Sequence, residues 1–518
     1  MRLLSLLFAF GLVAAACGGG SDGDAADKAK DDGAGGIDTD AAEKAVAGSQ
    51  DDETTTTAED EVAMADPTNI TELEAVWEAN RQKVLDRVTE EGYGLGDDGI
   101  LTGPEGFTID TNNCPVDWDN TEGIGDTIKI GHTTTQSGNL AAYGNIAIGM
   151  DAYFDYVNEN GGIGGIPIEL ITKDDGYVAT VTIEMVDELL QADKPLMINT
   201  LGSPNTLAVY DTLNEKCVPQ PFVMTGHPAW GDPEGHPWTT GDQMSYSTEA
   251  ILWGAWLKTN MAADLPVTVA GLVMDNDFGL AYEDGMNKYA AANPDVVSKF
   301  TAVRHDPAAP TVTNEMTTIA AGAPDVFISM TAGNPCLLAV EEAGRSGMAD
   351  GETVLFMPSV CKDPNSFMIP AGDVANGWNI VGGGLKVTTD PQYADDVYIK
   401  FLNETLAAAE LDTTIGAYGT GFGLFAWPIV ESLRLANEME GGLTRTNLIL
   451  AVRVIDLEHP QLLDGITFSM NGNKDGYPIE GSDFAVYDSA TASWVTQGSV
   501  VDLNGSSPSC SWGPEGCG

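Results

Sequence analysis

The chain has 518 residues and carries 78 acidic against 23 basic side chains, a formal net charge of −55. A surplus of that size and sign repels nucleic acid and anionic lipid headgroups and excludes both as partners, while suiting high solubility or a salty habitat. Hydrophobic residues make up 43% of the chain, enough for two lobes of ordinary size beyond the N-terminal region.

The chain opens with MRLLSLLFAFGLVAAACGGGSD, which reads as an export signal: Arg2, then the apolar run Leu3 to Val13, then three alanines. The run is shorter than the roughly 20 residues that a membrane-spanning helix needs. Cys17 follows the alanines, and the pattern resembles a lipobox, so residues 1–16 are expected to be removed and Cys17 lipidated. An ordinary signal peptide with an incidental cysteine is the plainer alternative. Residues 17–67 are mostly Asp, Glu, Ala, Gly and Thr, which cannot bury enough apolar surface to offset their ordering entropy; a disordered acidic tether is expected there. Residues 68–125 are expected to form an extension, with a helix over ITELEAVWEANRQKVLDRVTEE (70–91) and a loop containing Cys114.

From Ile128 onward strands and helices alternate. IKIGH, IPIELITKDD, PLMINTL and PFVMT are strand-like runs separated by helical patterns; after GHPAWGDPEGHPWTTGD the rhythm restarts with VTVAGLVMD, VVSKFTAVRH, PDVFISM and TVLFMPS. Repeated βα units give parallel sheets covered by helices on both faces. The fold class is therefore α/β, two doubly wound parallel-sheet lobes joined by a hinge that the chain crosses more than once. Residues 126–246 plus 376–452 are assigned to lobe 1, 247–375 plus 453–500 to lobe 2, and 501–518 to a tail with a cysteine pair.

In such folds ligands sit outside the carboxyl ends of the strands. Three loops leave strand ends with hydrogen-bonding side chains: one with Gln136 and Ser137, LGSPNT with Ser203, Asn205 and Thr206, and TGHPAW with Thr225, His227 and Trp230. Hydroxyls and free N–H groups at helix starts attract anions such as carboxylates. Each side chain could instead simply cap its helix, but three such loops along one sheet edge favour a ligand. Six cysteines remain besides Cys17, and their number leaves many pairings open. The expectation is Cys336–Cys361 and Cys510–Cys517, which close short loops, leaving Cys114 with Cys217.

The run IKIGHTTTQSGNLAAYGNIAIGMDAYFDYVNENGGIGGIPIELITKDD resembles the start of the leucine/isoleucine/valine-binding proteins, type I periplasmic binding proteins of ABC importers. The family's order of features falls on Ser137-Gly138, Tyr143-Gly144, the GGIGG turn at 161–165 and Asp174-Asp175. A weaker likeness continues through MDNDFGLAYEDG and EEAGRSGM, so the resemblance spans roughly residues 126 to 500. It implies a periplasmic-binding-protein type I fold and a hinge that closes on a ligand. It places the carboxylate-gripping loop on Ser203, Asn205 and Thr206, the next loop on Thr225 to Ala229, and the second-lobe aromatic on Phe278. The acid that holds a ligand ammonium should lie near Met357 to Val360, and MPSV has none; Asp275 or Asp277 could serve, or the ligand lacks an amine. Trp230, Trp238 and Phe278 suggest an apolar or aromatic ligand body.

No GxSxG, HExxH, P-loop or complete GxGxxG occurs, and neither the five histidines nor the cysteines show metal-ligand spacing. NGNKDG (471–476) resembles half a calcium loop, but its twelfth position is Ser482, so a hairpin turn is expected. Neither catalysis, cofactor nor metal is expected. The sequence points to a monomeric, lipid-anchored, extracellular binder that carries a branched-chain or aromatic amino acid, an amide or a small acid to an ABC permease. A sensor module of the same fold, or a secreted hydrolase, would be the alternatives.

Overall fold

The computed structural model describes residues 38–51, 67–119, 121–513 and 516–517. The export signal, Cys17 and most of the acidic tether fall outside them. Within the expected tether, however, Thr39–Asp51 is a helix (α1). Its one apolar stripe explains the difference: Ala42 and Val46 are fully buried, and Glu43 pairs with Lys258 and accepts a hydrogen bond from the Tyr289 hydroxyl at 3.0 Å. Ser49 accepts at its carbonyl from the N–H of Ser499 at 3.0 Å. Two small apolar residues suffice because the helix docks on a ready surface rather than building a core of its own.

The expected helix spans Ile70–Glu91 (α2). Asn69 caps it by accepting from the N–H of Glu72, and Gly92 ends it with φ 70°, a left-handed conformation that glycine adopts without strain. It buries Trp77, Val84 and Val88, and Arg81 pairs with the fully buried carboxylate of Glu431. The loop expected to follow it contains three short antiparallel strands, Gly94–Leu95, Ile100–Thr102 and Thr108–Asp110. They are too short to register as a periodic pattern. A Cys114–Cys217 disulfide ties this extension to the first lobe.

Lobe 1 is built on β1 (Ile128–Thr134), β2 (Ile168–Asp174), β3 (Met197–Thr200), β4 (Gln220–Val223) and β5 (Thr239–Gly241). β1 lies between β2 and β3, all parallel, with Ile130 opposite Leu170 on one side and Met197 on the other. The bridge Leu201–Met224 continues the sheet to β4, which pairs in parallel with β5. The strand order is thus β2-β1-β3-β4-β5, and its direction reverses between β1 and β3, the point where doubly wound sheets open a crevice. Helices α3 (Asn145–Glu159), α4 (Ala179–Glu188) and α5 (Ser203–Glu215) connect these strands.

The chain then enters lobe 2 through α6 (Tyr246–Asn260) and forms β6 (Val267–Met274), α7 (Asp277–Ala292), β7 (Val297–His305), β8 (Val326–Met330) and β9 (Val354–Met357). β10 (Asn379–Val381), β11 (Phe484–Asp488) and β12 (Ser493–Thr496) complete a sheet ordered β7-β6-β8-β9-β10-β11-β12. The first five strands are parallel and the last two antiparallel. The sequence places the return to lobe 1 at residue 376, yet β10 pairs Asn379 with Phe356 and Val381 with Phe484, so it belongs to lobe 2. The crossing therefore falls at Gly382–Gly384. After helices Val397–Ala408, Trp427–Glu438 and Arg445–Arg453, the short strands Asp456–Leu457 and Phe468–Ser469 pair with each other, and lobe 2 resumes only near Ser482. Disulfides also join Cys336 to Cys361 and Cys510 to Cys517.

Candidate functional site

The carboxyl ends of both sheets face a cavity of about 160 Å³ whose walls come from both lobes and from the crossing segments. Lobe 1 contributes Leu140 and Tyr143 beyond β1, Tyr177 beyond β2, Leu201 and Gly202 beyond β3, and Met224 and Thr225 beyond β4. Lobe 2 adds Tyr246, Phe278, Ser359 and Val360, and the crossing segments add Leu385 to Thr388. Most of the lining is aliphatic or aromatic, which is the usual composition of a small-molecule site. A dry apolar cavity of ~150 Å³ accepts a single benzene-sized ring, so this space suits a small solute.

The lobes touch across the cavity. The Tyr143 hydroxyl accepts from the N–H of Gly333 at 2.9 Å and donates to the carbonyl of Val360 at 3.4 Å. Asn139 donates to the carbonyls of Pro307 at 3.0 Å and Ala309 at 2.8 Å. Tyr143 and Asn139 stand on lobe 1 and their partners on lobe 2, so this is a shut arrangement.

Of the residues expected from sequence, Tyr143, Thr225 and Phe278 line the cavity. The others lie around it. Ser203 sits behind Thr225, its hydroxyl 2.6 Å from the Thr225 hydroxyl. Asn205 is fully buried and donates to Asp175 at 3.0 Å and to the Thr182 hydroxyl at 2.7 Å; Thr206 bonds Thr200 at 2.8 Å. Those three side chains satisfy each other's surroundings rather than presenting donors to the cavity. Gln136 and Ser137 are exposed on the rim, where the Gln136 N–H donates to Asp174 at 2.8 Å.

His227 and Trp230 form a separate packed cluster. The Trp230 indole donates to the Thr225 carbonyl at 2.9 Å, and the His227 ring meets Trp512 edge-on at 4.4 Å. Burial without a charged partner pushes the His227 pKa down to about 3, so its imidazole is neutral. Trp238 packs on Trp118 at 5.6 Å. Asp275 is an exposed partner of Arg304 at 3.3 Å. Asp277 opens α7 beside Phe278, half-buried, and burial raises its pKa.

Several lining residues were not foreseen. Tyr177 follows β2 in the run DDGY, and its ring is admitted only because residue 202 is glycine: a Cβ there would lie 2.4 Å from the ring, and φ is 96°. Tyr246 starts α6 and meets Phe278 at 4.9 Å, nearly perpendicular. Lys362, Asp363, Lys386 and Gln461 also reach the lining. The signal was available for Tyr177, since DDGY stands at a strand end like the other three loops. None was available for Lys362, whose partner Asp483 is distant in sequence.

The MPSV loop lacks an acid of its own, yet one is delivered to it from α6. The buried Glu249 accepts from the Ser359 N–H at 2.8 Å, the Ser359 hydroxyl at 2.7 Å and the Tyr282 hydroxyl at 2.8 Å. Desolvation raises its pKa to about 7, with the Ser359 and Tyr282 hydrogen bonds opposing the rise. Among the described residues no cluster of three or more His, Cys, Asp or Glu could hold a metal ion, and no helix is long and apolar enough to cross a membrane.

A family model described as periplasmic binding protein matches residues 127–394. Comparison with curated protein sequences gave no match. Among solved structures, the chain is similar to a fatty acid ABC transporter substrate-binding protein from Thermomonospora curvata, with 20% identity over 78% of this chain and 95% of that one and a TM-score of 0.60. It is also similar to a branched-chain amino acid ABC transporter protein from Thermus thermophilus with bound valine, with 16% identity, 72% and 95% coverage and a TM-score of 0.62. A solute-binding protein from Rhodopseudomonas palustris BisB5 in complex with 3,4-dihydroxybenzoic acid gives 17% identity, 73% and 98% coverage and a TM-score of 0.59. At such identities the structural likeness speaks for the fold.

Proposed function

The chain belongs to the periplasmic binding protein family, and from that premise we propose that it is the exported solute receptor of an ABC importer, shutting its two lobes on a small organic molecule and handing it to a membrane permease. The observation that carries the reading is the cavity itself, walled by both lobes and sealed by the Tyr143 hydroxyl against Gly333 and Val360. A solute held in this cavity touches both lobes at once, so its binding favours the shut arrangement over an open one. Cys17, acylated after export, anchors the monomer to the outer face of the membrane. The similar proteins, one with bound valine, one with bound 3,4-dihydroxybenzoic acid and one of a fatty acid transporter, support a small solute without choosing among them.

The test is a thermal-shift screen of the full chain against leucine, phenylalanine, their deaminated acids, 4-hydroxybenzoate, short amides and simple amines. A ligand at about a thousand times its Kd adds roughly 4 kcal/mol, and the midpoint rises by several degrees. The same ligand should lower the radius of gyration in X-ray scattering as the lobes shut. Binding without any compaction would argue against closure. Labelling with a radioactive fatty acid that persists in C17A would sink the anchor.

A further inference from the structure

We propose that Tyr177 is the side chain that holds the polar group of the solute, by a hydrogen bond at its phenol hydroxyl, and that Asp175, Thr182 and Asn205 are the residues that position it. The inference rests on the solute-binding reading and goes further, to the residue that decides which solutes are held.

The backbone comes first. Tyr177 stands just beyond β2 with a φ of 62°. Glycine takes that left-handed conformation freely, whereas a bulky aromatic residue takes it only where its surroundings impose it. Three buried side chains impose it here. The Asp175 carboxylate accepts from the N–H of Tyr177 at 2.9 Å, from the Thr182 hydroxyl at 2.9 Å and from the Asn205 amide at 3.0 Å. Asn205 also donates to the Thr182 hydroxyl at 2.7 Å, so the network closes on itself. Asp175, Thr182 and Asn205 lie outside the cavity lining, and Tyr177 lies in it. What the network delivers to the cavity is therefore the tyrosine, seated in the slot that Gly202 leaves open.

The hydroxyl comes second. Tyr143, Tyr246 and Phe278 line the same part of the cavity. Phe278 has no polar side-chain atom, and Tyr143 spends its hydroxyl across the cleft on Gly333 and Val360. The Tyr246 hydroxyl has the 3.4 Å contact from Thr225. The Tyr177 hydroxyl has no hydrogen-bond partner among the described residues. Elsewhere in the lining Ser359 is bonded to Glu249, Lys362 to Asp483 and Lys386 to Asp396. A polar group left unpaired in a shut cavity is costly, and a solute that pairs with it removes the cost. A backbone held under strain and a hydroxyl held in reserve thus meet in one residue. A phenol donates to a carbonyl or carboxylate oxygen and accepts from an N–H, so Tyr177 registers a hydrogen-bonding group at this point rather than the sign of its charge. The apolar remainder of the solute would lie on Leu140, Leu201 and Met224.

The experiment is calorimetric titration of the purified full chain with 3-phenylpropanamide, 3-phenylpropanoate and phenethylamine, which share a phenyl body and differ in their polar group, and with toluene, which has no polar group. The tightest of the three polar probes should bind Y177F, which loses only the hydroxyl, about tenfold more weakly than the parent. Toluene should not distinguish the two proteins, and the melting temperature of the unliganded protein should stay unchanged. N205A should weaken the same polar probe in the parent and add almost nothing in Y177F, because Asn205 acts through the tyrosine, whereas independent effects would add. Full affinity in Y177F, an equal loss for toluene, or an N205A effect that adds in full to that of Y177F would each overturn the proposal. The Y177F comparison decides even where N205A fails to fold. Silence toward all three polar probes overturns the proposal too. In that event a small molecule found by mass spectrometry in the denatured, freshly purified protein preserves the solute-binding reading, and finding none removes that reading as well.

Discussion

At the crossing end of the cavity Lys362 donates to the carbonyls of Gly382 at 3.2 Å and Leu385 at 2.8 Å as well as to Asp483, and Asp483 accepts from the N–H of Gly384 at 3.1 Å. At the strand-edge end the Tyr177 hydroxyl has no hydrogen-bond partner among the described residues, and Tyr246 has only a 3.4 Å contact from Thr225. The first end is satisfied within the protein and holds the chain where it passes between lobes. Gly383 and Gly384, at φ 67° and 70°, take a path that other residues would adopt only under strain. The second end has polar groups and ring faces left over, which is what a site needs if something else is to complete it. Both ends border one cavity, so lining a cavity does not by itself make a residue a ligand contact; the state of its hydrogen bonds decides.

The largest test of that contrast is Lys362→Met. Removing one member of a buried ion pair leaves the other charge unsatisfied and costs about 3–5 kcal/mol. Here it would also release the bonds that fix the crossing backbone. Urea unfolding of K362M should show a loss of that size, and the double change to K362M/D483L should recover all but about 1–2 kcal/mol, because Gly384 still loses an acceptor. A K362M protein as stable as the parent would mean that the pair does not hold the crossing.

The strand-edge end is backed by Glu249, and its charge can be read through pH. Its pKa of about 7 in the folded protein stands above the ordinary 4.5, with desolvation as the main cause. The folded state therefore holds the proton more tightly than the unfolded state. The stability this confers is complete below about pH 4.5 and is lost as pH rises through about 7. The difference of 2.5 units, 7 minus 4.5, corresponds to roughly 3 kcal/mol. Asp475 and Glu480 also titrate high, near 6 and 7, so the parent alone cannot isolate Glu249. The stability gap between E249Q and the parent should move by roughly 3 kcal/mol in favour of the glutamine between these limits. A gap that stays flat would show that Glu249 binds its proton no more tightly in the folded protein than in the unfolded chain.

The same contrast explains what was legible in the sequence. VTVAGLVM and PDVFISM become β6 and β8 because β-branched and apolar runs bounded by turns can be little else, and IKIGH leads into the switch point at the cavity. Hydroxyls at strand ends are visible too, but whether they face outward is not: Ser203 spends its hydroxyl on Thr225, a partner 22 residues away. Lys362 and Asp483, 121 residues apart, meet only because the segment Gly382 to Leu385 packs against both. α1 escaped because its burial rests on Ala42 and Val46 within an acidic, low-complexity stretch, where composition argues for disorder and only the surface offered by α6 argues against it. The acid that MPSV lacks comes from outside the loop, because Glu249 reaches it from a helix 110 residues earlier.

The smallest expected effect is also the sharpest comparison. Lys386 lines the crossing end as Lys362 does, but its pair with Asp396 keeps 14% and 24% of the two side chains exposed, and Asp464, 3.9 Å away, is fully in water. Solvent screens such a pair, so K386Q should cost less than about 1 kcal/mol of stability. Its effect on ligand then locates the polar group of the solute. If that group lies at the strand-edge end beside Tyr177, losing a cation across the cavity should change the affinity for 3-phenylpropanoate and 3-phenylpropanamide by a few-fold at most. If the crossing end instead receives the anionic head of a solute, K386Q should weaken 3-phenylpropanoate by tenfold or more at unchanged melting temperature. Calorimetric titration of both probes against this one variant would decide which end of the cavity meets the polar group.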